Sequence, residues 1–196
     1  MAKTNFKAGN MLYPLPAVLV SVADKQGNTN ILTIAWAGTV CTNPPMVSIS
    51  VRPSRFSHHM LMESREFVIN LTTKELVFAT DYCGVKSGRE VDKWKELHLT
   101  PLASQEVAAP SIAESPVNIE CKVERVEHLG SHDLFLASVV AVRVDNRYMD
   151  QNGSFHLEKA QPIVYSHGEY YDLGAKLGKF GYSIQKNRGR KTKKTQ

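Results

Sequence analysis

Residues 30–58, NILTIAWAGTVCTNPPMVSISVRPSRFSH, cannot form one long helix, because Gly38, the pair Pro44-Pro45 and Pro53 break them into short pieces. The first piece, residues 31–36, is β-branched and aromatic and has the length of a strand. The second, residues 46–52, alternates: Val47, Ile49 and Val51 take one face, and Ser48, Ser50 and Arg52 the other. That pattern belongs to a strand with one face in a core. Between the two, Ala37 and Gly38 end the first run, and residues 39–43 are expected to form a loop of small and hydroxylated residues closed by the prolines. Its backbone N–H groups are expected to face a ligand.

Pro53 stops the second strand, and Ser54 stands where an N-cap is expected for a helix over residues 55–64. A helix start carries unpaired N–H groups and positive dipole potential, so Arg52, Ser54 and Arg55 around it form an expected site for a dianion such as phosphate. Each residue alone also fits a plain capped helix with solvated arginines. Two arginines, a cap and a strand end within four residues favour the anion site. Arg55 is therefore expected to matter more to a bound phosphate than Arg89, which lies in a later loop.

The rest of the chain supplies more strands than helices. Residues 17–23 read as a strand, residues 24–28 as a turn, and the pieces above complete an expected three-strand meander. A strand follows at residues 66–71, then a helix over 73–82 with Thr73 as its cap, and a short helix over 91–97. The loop between those helices either connects them or reaches over a site. Residues 99–116, with three prolines and no period, read as a surface excursion. Residues 117–127 alternate around one irregularity, and residues 133–144 form a longer apolar strand, with a hairpin loop at 128–132. Six or more strands in hairpins, with few helices, argue for a mainly β protein built as an antiparallel barrel with peripheral helices. The aromatic-rich end, residues 162–182, is expected to pack on a partner subunit or to cover a pocket.

One domain over residues 1–185 is expected, with a basic, disordered tail at 186–196. The formal charge is +5, but residues 186–194 carry six basic side chains and no acidic one, leaving the body near neutral. This local basicity, with no interleaved aromatics, argues against nucleic acid as a partner. Three cysteines without a CxxC pair imply neither a disulfide framework nor a zinc ribbon, and no metal site is expected. No apolar stretch reaches membrane-spanning length and the N-terminus lacks a signal-peptide core, so a soluble cytoplasmic protein is expected. There is no GxGxxG after a strand, hence no Rossmann nucleotide domain.

Three segments in order, TIAWAGTVCTNPPMVSISVRPSR, DYCGVKSGREVDK and SHGEYYDLGAKLGKFGYS, resemble the flavin reductase-like proteins with an FMN-binding split barrel, most closely the flavoredoxin branch. The resemblance covers nearly all of residues 12–185. It implies a Greek-key-like split β-barrel, a homodimer, and FMN held noncovalently near the subunit interface. It places Thr33, Trp36, the backbone of Gly38, Thr39, Val40 and Cys41, and Ser50 around the flavin ring. The phosphate would go to Arg52, Ser54 and Arg55, with Tyr82, Cys83 and Lys93 close by. His167 would sit at the open flavin face, where nicotinamide or a redox protein docks.

The activity this implies is NAD(P)H-dependent flavin reduction, with a flavoredoxin-type electron carrier as the alternative and NAD(P)H as a transient co-substrate. The chemistry would belong to the cofactor, so no catalytic nucleophile or base is expected.

Overall fold

The computed structural model describes residues 1–184. The expected basic tail at 186–196 lies outside the described residues. In chain order the elements are β1 (Leu15–Pro16), β2 (Val18–Ala23), β3 (Thr29–Ile34), β4 (Ala37–Cys41), β5 (Met46–Val51), α1 (Phe56–Ser64), β6 (Glu66–Leu71), α2 (Val77–Val85) and α3 (Lys93–Glu96). Then come β7 (Pro101–Leu102), β8 (Ser111–Ile112), β9 (Val117–His128), β10 (Asp133–Val144), β11 (Ile163–Ser166) and β12 (Glu169–Asp172). No helix among the described residues is long and apolar enough to cross a membrane.

Seven strands form one antiparallel sheet in the order β3-β2-β6-β9-β10-β5-β4. Leu32 and Ile34 of β3 share a single buried cluster with Val47, Ile49 and Val51 of β5, although their strands stand near opposite ends of that order. The sheet therefore curls around its core. Its end strands, β3 and β4, do not pair with each other. The protein is mainly β, a split barrel. The expected meander is corrected here: β2 and β3 form a hairpin, but β5 pairs with β10 and β4 instead of β3.

Strand β2 is buried along its whole length because it serves two cores. Val18, Val20 and Val22 face the barrel interior, and Leu19 packs outside it with Ile31, Leu76, Ala79, Cys83, Leu99 and Ile112. Strands β9 and β10 pair over most of their length, and the expected irregularity is a register shift at which Arg125 and Val123 oppose the consecutive residues Leu136 and Ala137.

Three expectations are corrected. Residues 39–41, expected in the 39–43 loop, belong with Ala37 and Gly38 to β4, whose pairing with β5 takes up backbone groups that were expected to face a ligand. Helix α2 starts at Val77, because Thr73 bridges Pro162 and the Lys74 N–H donates to Gln161 O, 2.9 Å away. Residues 99–116 run over the surface at 100–108, as expected, but are anchored against the barrel at 109–112 and 115–116. The Asn70 carboxamide oxygen accepts from Ile112 N–H and from Asn118 Nδ2, and buried Glu120 accepts from the N–H groups of Gln105 and Glu106. A buried carboxylate is tolerated when its lone pairs are filled in this way.

Candidate functional site

A cavity of about 960 Å³ opens beside β3, at the start of α1. It lies at the upper end of the range typical of small-molecule sites, roughly 300–1,000 Å³. Strand β3 contributes Asn30, Leu32, Thr33 and Ile34, the β3–β4 link contributes Ala35 and Trp36, and β5 contributes Ser50 and Val51. Arg52, Ser54, Arg55, Phe56 and Ser57 follow along the junction into α1. Cys83 of α2, Lys86, Ser87, Gly88, Arg89 and Glu90 of the turn after it, and Lys93 of α3 line it as well, and the β9–β10 hairpin adds Leu129, Ser131 and His132.

The start of α1 differs from expectation. Ser54 is exposed and does not cap the helix; Arg55 occupies that position in extended conformation, and no side chain caps the first turn. Pro53 and the turn closed by Arg55 N–H on Arg52 O, at 3.0 Å, place Ser54 one residue too early. The consequence favours an anion. The first turn keeps unsatisfied donors, both arginines lie beside it, and neither arginine has a carboxylate partner among the described residues.

The α2–α3 side of the cavity is fixed by buried polar contacts. Lys93, only 3% exposed, donates from Nζ to Ile31 O at 2.7 Å and to Cys83 O at 2.9 Å, tying α3 to β3 and to α2. Burial lowers its pKa, and the nearby Arg55 charge acts in the same direction. Burial pushes the Cys83 thiol up to about 11 despite Lys93, so the sulfur is an inert wall and not a nucleophile. The Thr33 hydroxyl donates to Thr80 O, which holds α2 on β3. Gly88 approaches so closely that a Cβ there would meet Asn30 and Phe56.

At the mouth, the Trp36 and His132 rings lie 7° from parallel with centroids 6.2 Å apart. Burial, then the charges of Arg52 and Arg55, lower the His132 pKa, so its imidazole is neutral at neutral pH. The hairpin bearing His132 is pinned at its base: Asp133, 4% exposed, binds His58 Nε2 of α1 at 2.7 Å and His128 Nδ1 at 2.8 Å.

Of the residues expected around a flavin, the cavity gathers Thr33, Trp36, Ser50, Arg52, Ser54, Arg55, Cys83 and Lys93. Gly38, Thr39, Val40 and Cys41 belong to β4 and do not line it. Tyr82 stacks on Phe78 outside it, at 6.1 Å. His167 and Gly168 both have positive φ and form the two-residue turn between β11 and β12, with His167 4.4 Å from the Tyr13 ring. The structure adds Asn30, Phe56, Lys86, Ser87, Arg89, His132, Tyr165 and Tyr170. It also removes the expected contrast in position between Arg55 and Arg89: the Arg89 guanidinium sits 5.5 Å from the centroid of Phe56, the first residue of α1.

Residues 10–174 match the model of the flavin reductase like domain family. The flavoredoxin of Desulfovibrio vulgaris (Miyazaki F) is similar in structure, with a TM-score of 0.87 and 30% identity over 94% of this chain and 100% of that one. Flavoredoxin from Methanosarcina acetivorans aligns with a TM-score of 0.83 and 27% identity, again over 94% and 100% of the two chains. Nitrilotriacetate monooxygenase component B from Bacillus cereus aligns with a TM-score of 0.77 and 25% identity, over 85% and 88%.

Proposed function

The chain belongs to the flavin reductase-like family, and on that premise we propose that it is an oxidoreductase whose redox group is a noncovalently bound FMN. The observation that carries this reading is the cavity wall where Arg52, Arg55 and the uncapped start of α1 converge next to Trp36. An anion-binding corner beside an aromatic surface suits a planar ring with a phosphate tail.

In this reading Arg52, Arg55 and the first-turn N–H groups of α1 hold the phosphate, with Ser54 beside them. Trp36, Thr33 and Ser50 flank the ring. Neutral His132, parallel to Trp36, closes one side of the mouth without adding charge. Bound flavin would supply hydride and single-electron chemistry, and the protein orients it and excludes water. Buried Cys83 and Lys93 are tied into the wall and serve as its supports.

NAD(P)H is the proposed electron donor. A second reading, an electron carrier of flavoredoxin type without nicotinamide turnover, is favoured by the similarity to two flavoredoxins. Rapid mixing of the FMN-loaded protein with NADH or NADPH separates them: bleaching near 450 nm, where oxidised flavins absorb, supports the reductase. No bleaching by either nucleotide, with reduction by a reduced redox protein, supports the carrier. A homodimer is also proposed. Exposed Val40, Val140 and Val142 on β4 and β10, and exposed Phe180 and Tyr182 beyond β12, are the surfaces that support it. Light scattering that returns a monomer would reject the dimer.

A further inference from the structure

A groove of about 370 Å³ lies between the start of α2 and the end of α3. Its apolar lining comes from Leu76, Leu97 and Leu99 and from Phe78, which is 71% exposed. Three exposed carboxylates also line it, Glu75, Glu96 and Glu114, and no lysine or arginine does. Among the described residues none of the three is in an ion pair. Glu114 is held in place by Thr100 N–H, which lies 3.1 Å from each of its carboxylate oxygens. The groove therefore combines apolar surface with negative charge that nothing beside it neutralises.

The same chain supplies a segment of opposite sign. Residues 186–194 carry six cationic side chains and no carboxylate, and Lys186, Arg188 and Arg190 alternate, so that an extended chain presents those three on one face. The 960 Å³ cavity would repel such a segment, because Arg52, Arg55, Lys86, Arg89 and Lys93 line it against the single carboxylate of Glu90. The groove attracts it. The strands that lead into the C-terminal segment already lie on α2: Tyr170 Oη of β12 donates to Asp81 Oδ1 at 3.3 Å, and Lys74 N–H, next to Glu75, donates to Gln161 O at 2.9 Å. Residues 185–196 span up to about 40 Å when extended, comparable with the diameter of a domain of this length.

We propose that the basic segment 186–194 docks on the acidic groove between α2 and α3 of its own molecule, with Glu75, Glu96 and Glu114 as the partners of its cations. The inference does not depend on the flavin reading. Lysine and arginine stems cover apolar surface such as Leu76, Leu97 and Leu99 while their charged ends reach carboxylates at the rim. A guanidinium over the exposed Phe78 ring adds cation–π attraction. Exposed ion pairs are individually weak and are screened by salt. The covalent link offsets that weakness, since a short tether holds the segment at an effective concentration on the order of millimolar.

The test is paramagnetic broadening in the NMR spectrum of the full chain, with a nitroxide on Thr195→Cys in a Cys41→Ser background that leaves only the buried thiols of Cys83 and Cys121. At about 50 mM salt the amide signals of Leu76, Phe78 and Leu97 are expected to lose at least about half their intensity, and to recover it at about 0.5 M salt. They are also expected to recover in Glu75→Gln/Glu96→Gln, which changes two exposed side chains and leaves the core intact. No broadening at the groove, broadening centred on another surface, or broadening that survives high salt or the paired glutamine variant overturns the proposal. So does broadening that arises only between spin-labelled and label-free molecules mixed together, which would place the segment on a second copy.

Discussion

Gly88 sits against Asn30 so tightly that a Cβ on the glycine would fall 2.5 Å from the asparagine Oδ1. Asn30 cannot simply swing aside, because it is buried and its Nδ2 donates to Ser57 Oγ at 2.7 Å. On the other side the same Cβ would lie 2.7 Å from Phe56 Cδ1. Gly88→Ala is therefore expected to push the 86–89 turn off α1 and to destabilise the fold by about 1–3 kcal/mol, the usual cost of overpacking. Chemical denaturation of the variant checks it. A midpoint equal to the parent's would show that the turn is loosely seated.

Among the described residues Lys93 alone donates from a side chain to Ile31 O and Cys83 O. Lys93→Met keeps the apolar stem but strips the donor from Ile31 O and Cys83 O. Leaving such groups unmet costs about 1–3 kcal/mol each. Part of that loss is offset by removing a buried charge, so the net destabilisation expected by urea denaturation is about 1–3 kcal/mol. A more stable variant would mean that burial of the ammonium outweighs its bonds.

The three thiols are expected to differ sharply in reactivity. Burial pushes Cys83 up to about 11 and Cys121 up to about 12, with Glu120 adding to the second shift. At pH 8 a thiol of pKa 11 is about 0.1% thiolate, and it is also shielded. Half-buried Cys41 on β4 is the accessible one. A disulfide reagent applied to native protein should titrate one thiol, lost in Cys41→Ser, and three after denaturation. Rapid reaction of Cys83 in the native state would contradict the packing of α2 on β3.

His132 reports on its neighbours. In the free protein its pKa lies below the usual value of 6.5, because burial and then the positive Arg52 and Arg55 disfavour protonation. A phosphate held by those arginines cancels their charge, so FMN should raise the His132 pKa. Ligand binding is then tighter on the acid side and weakens as pH rises through the bound-state pKa. Histidine resonances followed by NMR with and without FMN test this. An unchanged or lower pKa on binding would move the phosphate away from these arginines.

The barrel was readable where alternation alone decides a strand, as in β5 and β9, and where apolar run length does, as in β2 and β10. It was misread where long-range bonds override local pattern. Thr73 looks like a helix cap but is taken by Pro162, and residues 99–116 look solvated because Asn70 and Glu120, which anchor them, lie on other strands. The anion corner was legible because Arg52, Ser54 and Arg55 are sequence neighbours, although Ser54 proved not to cap. Asn30, His132 and Arg89 reach the same cavity from three unconnected segments, and nothing local marks them. The Ser87-Gly88 pair marks a turn, and the contacts with Asn30 and Phe56 reveal what that turn rests on.

In the proposed function the β5–α1 junction holds the phosphate of a flavin mononucleotide. Calorimetric titration of the flavin-free protein with FMN and with riboflavin, which lacks only the phosphate, tests it most directly. FMN is expected to bind at least about 100-fold tighter than riboflavin, with most of that difference lost in Arg55→Ala. Equal affinities for the two flavins, or no heat from either, would contradict the account.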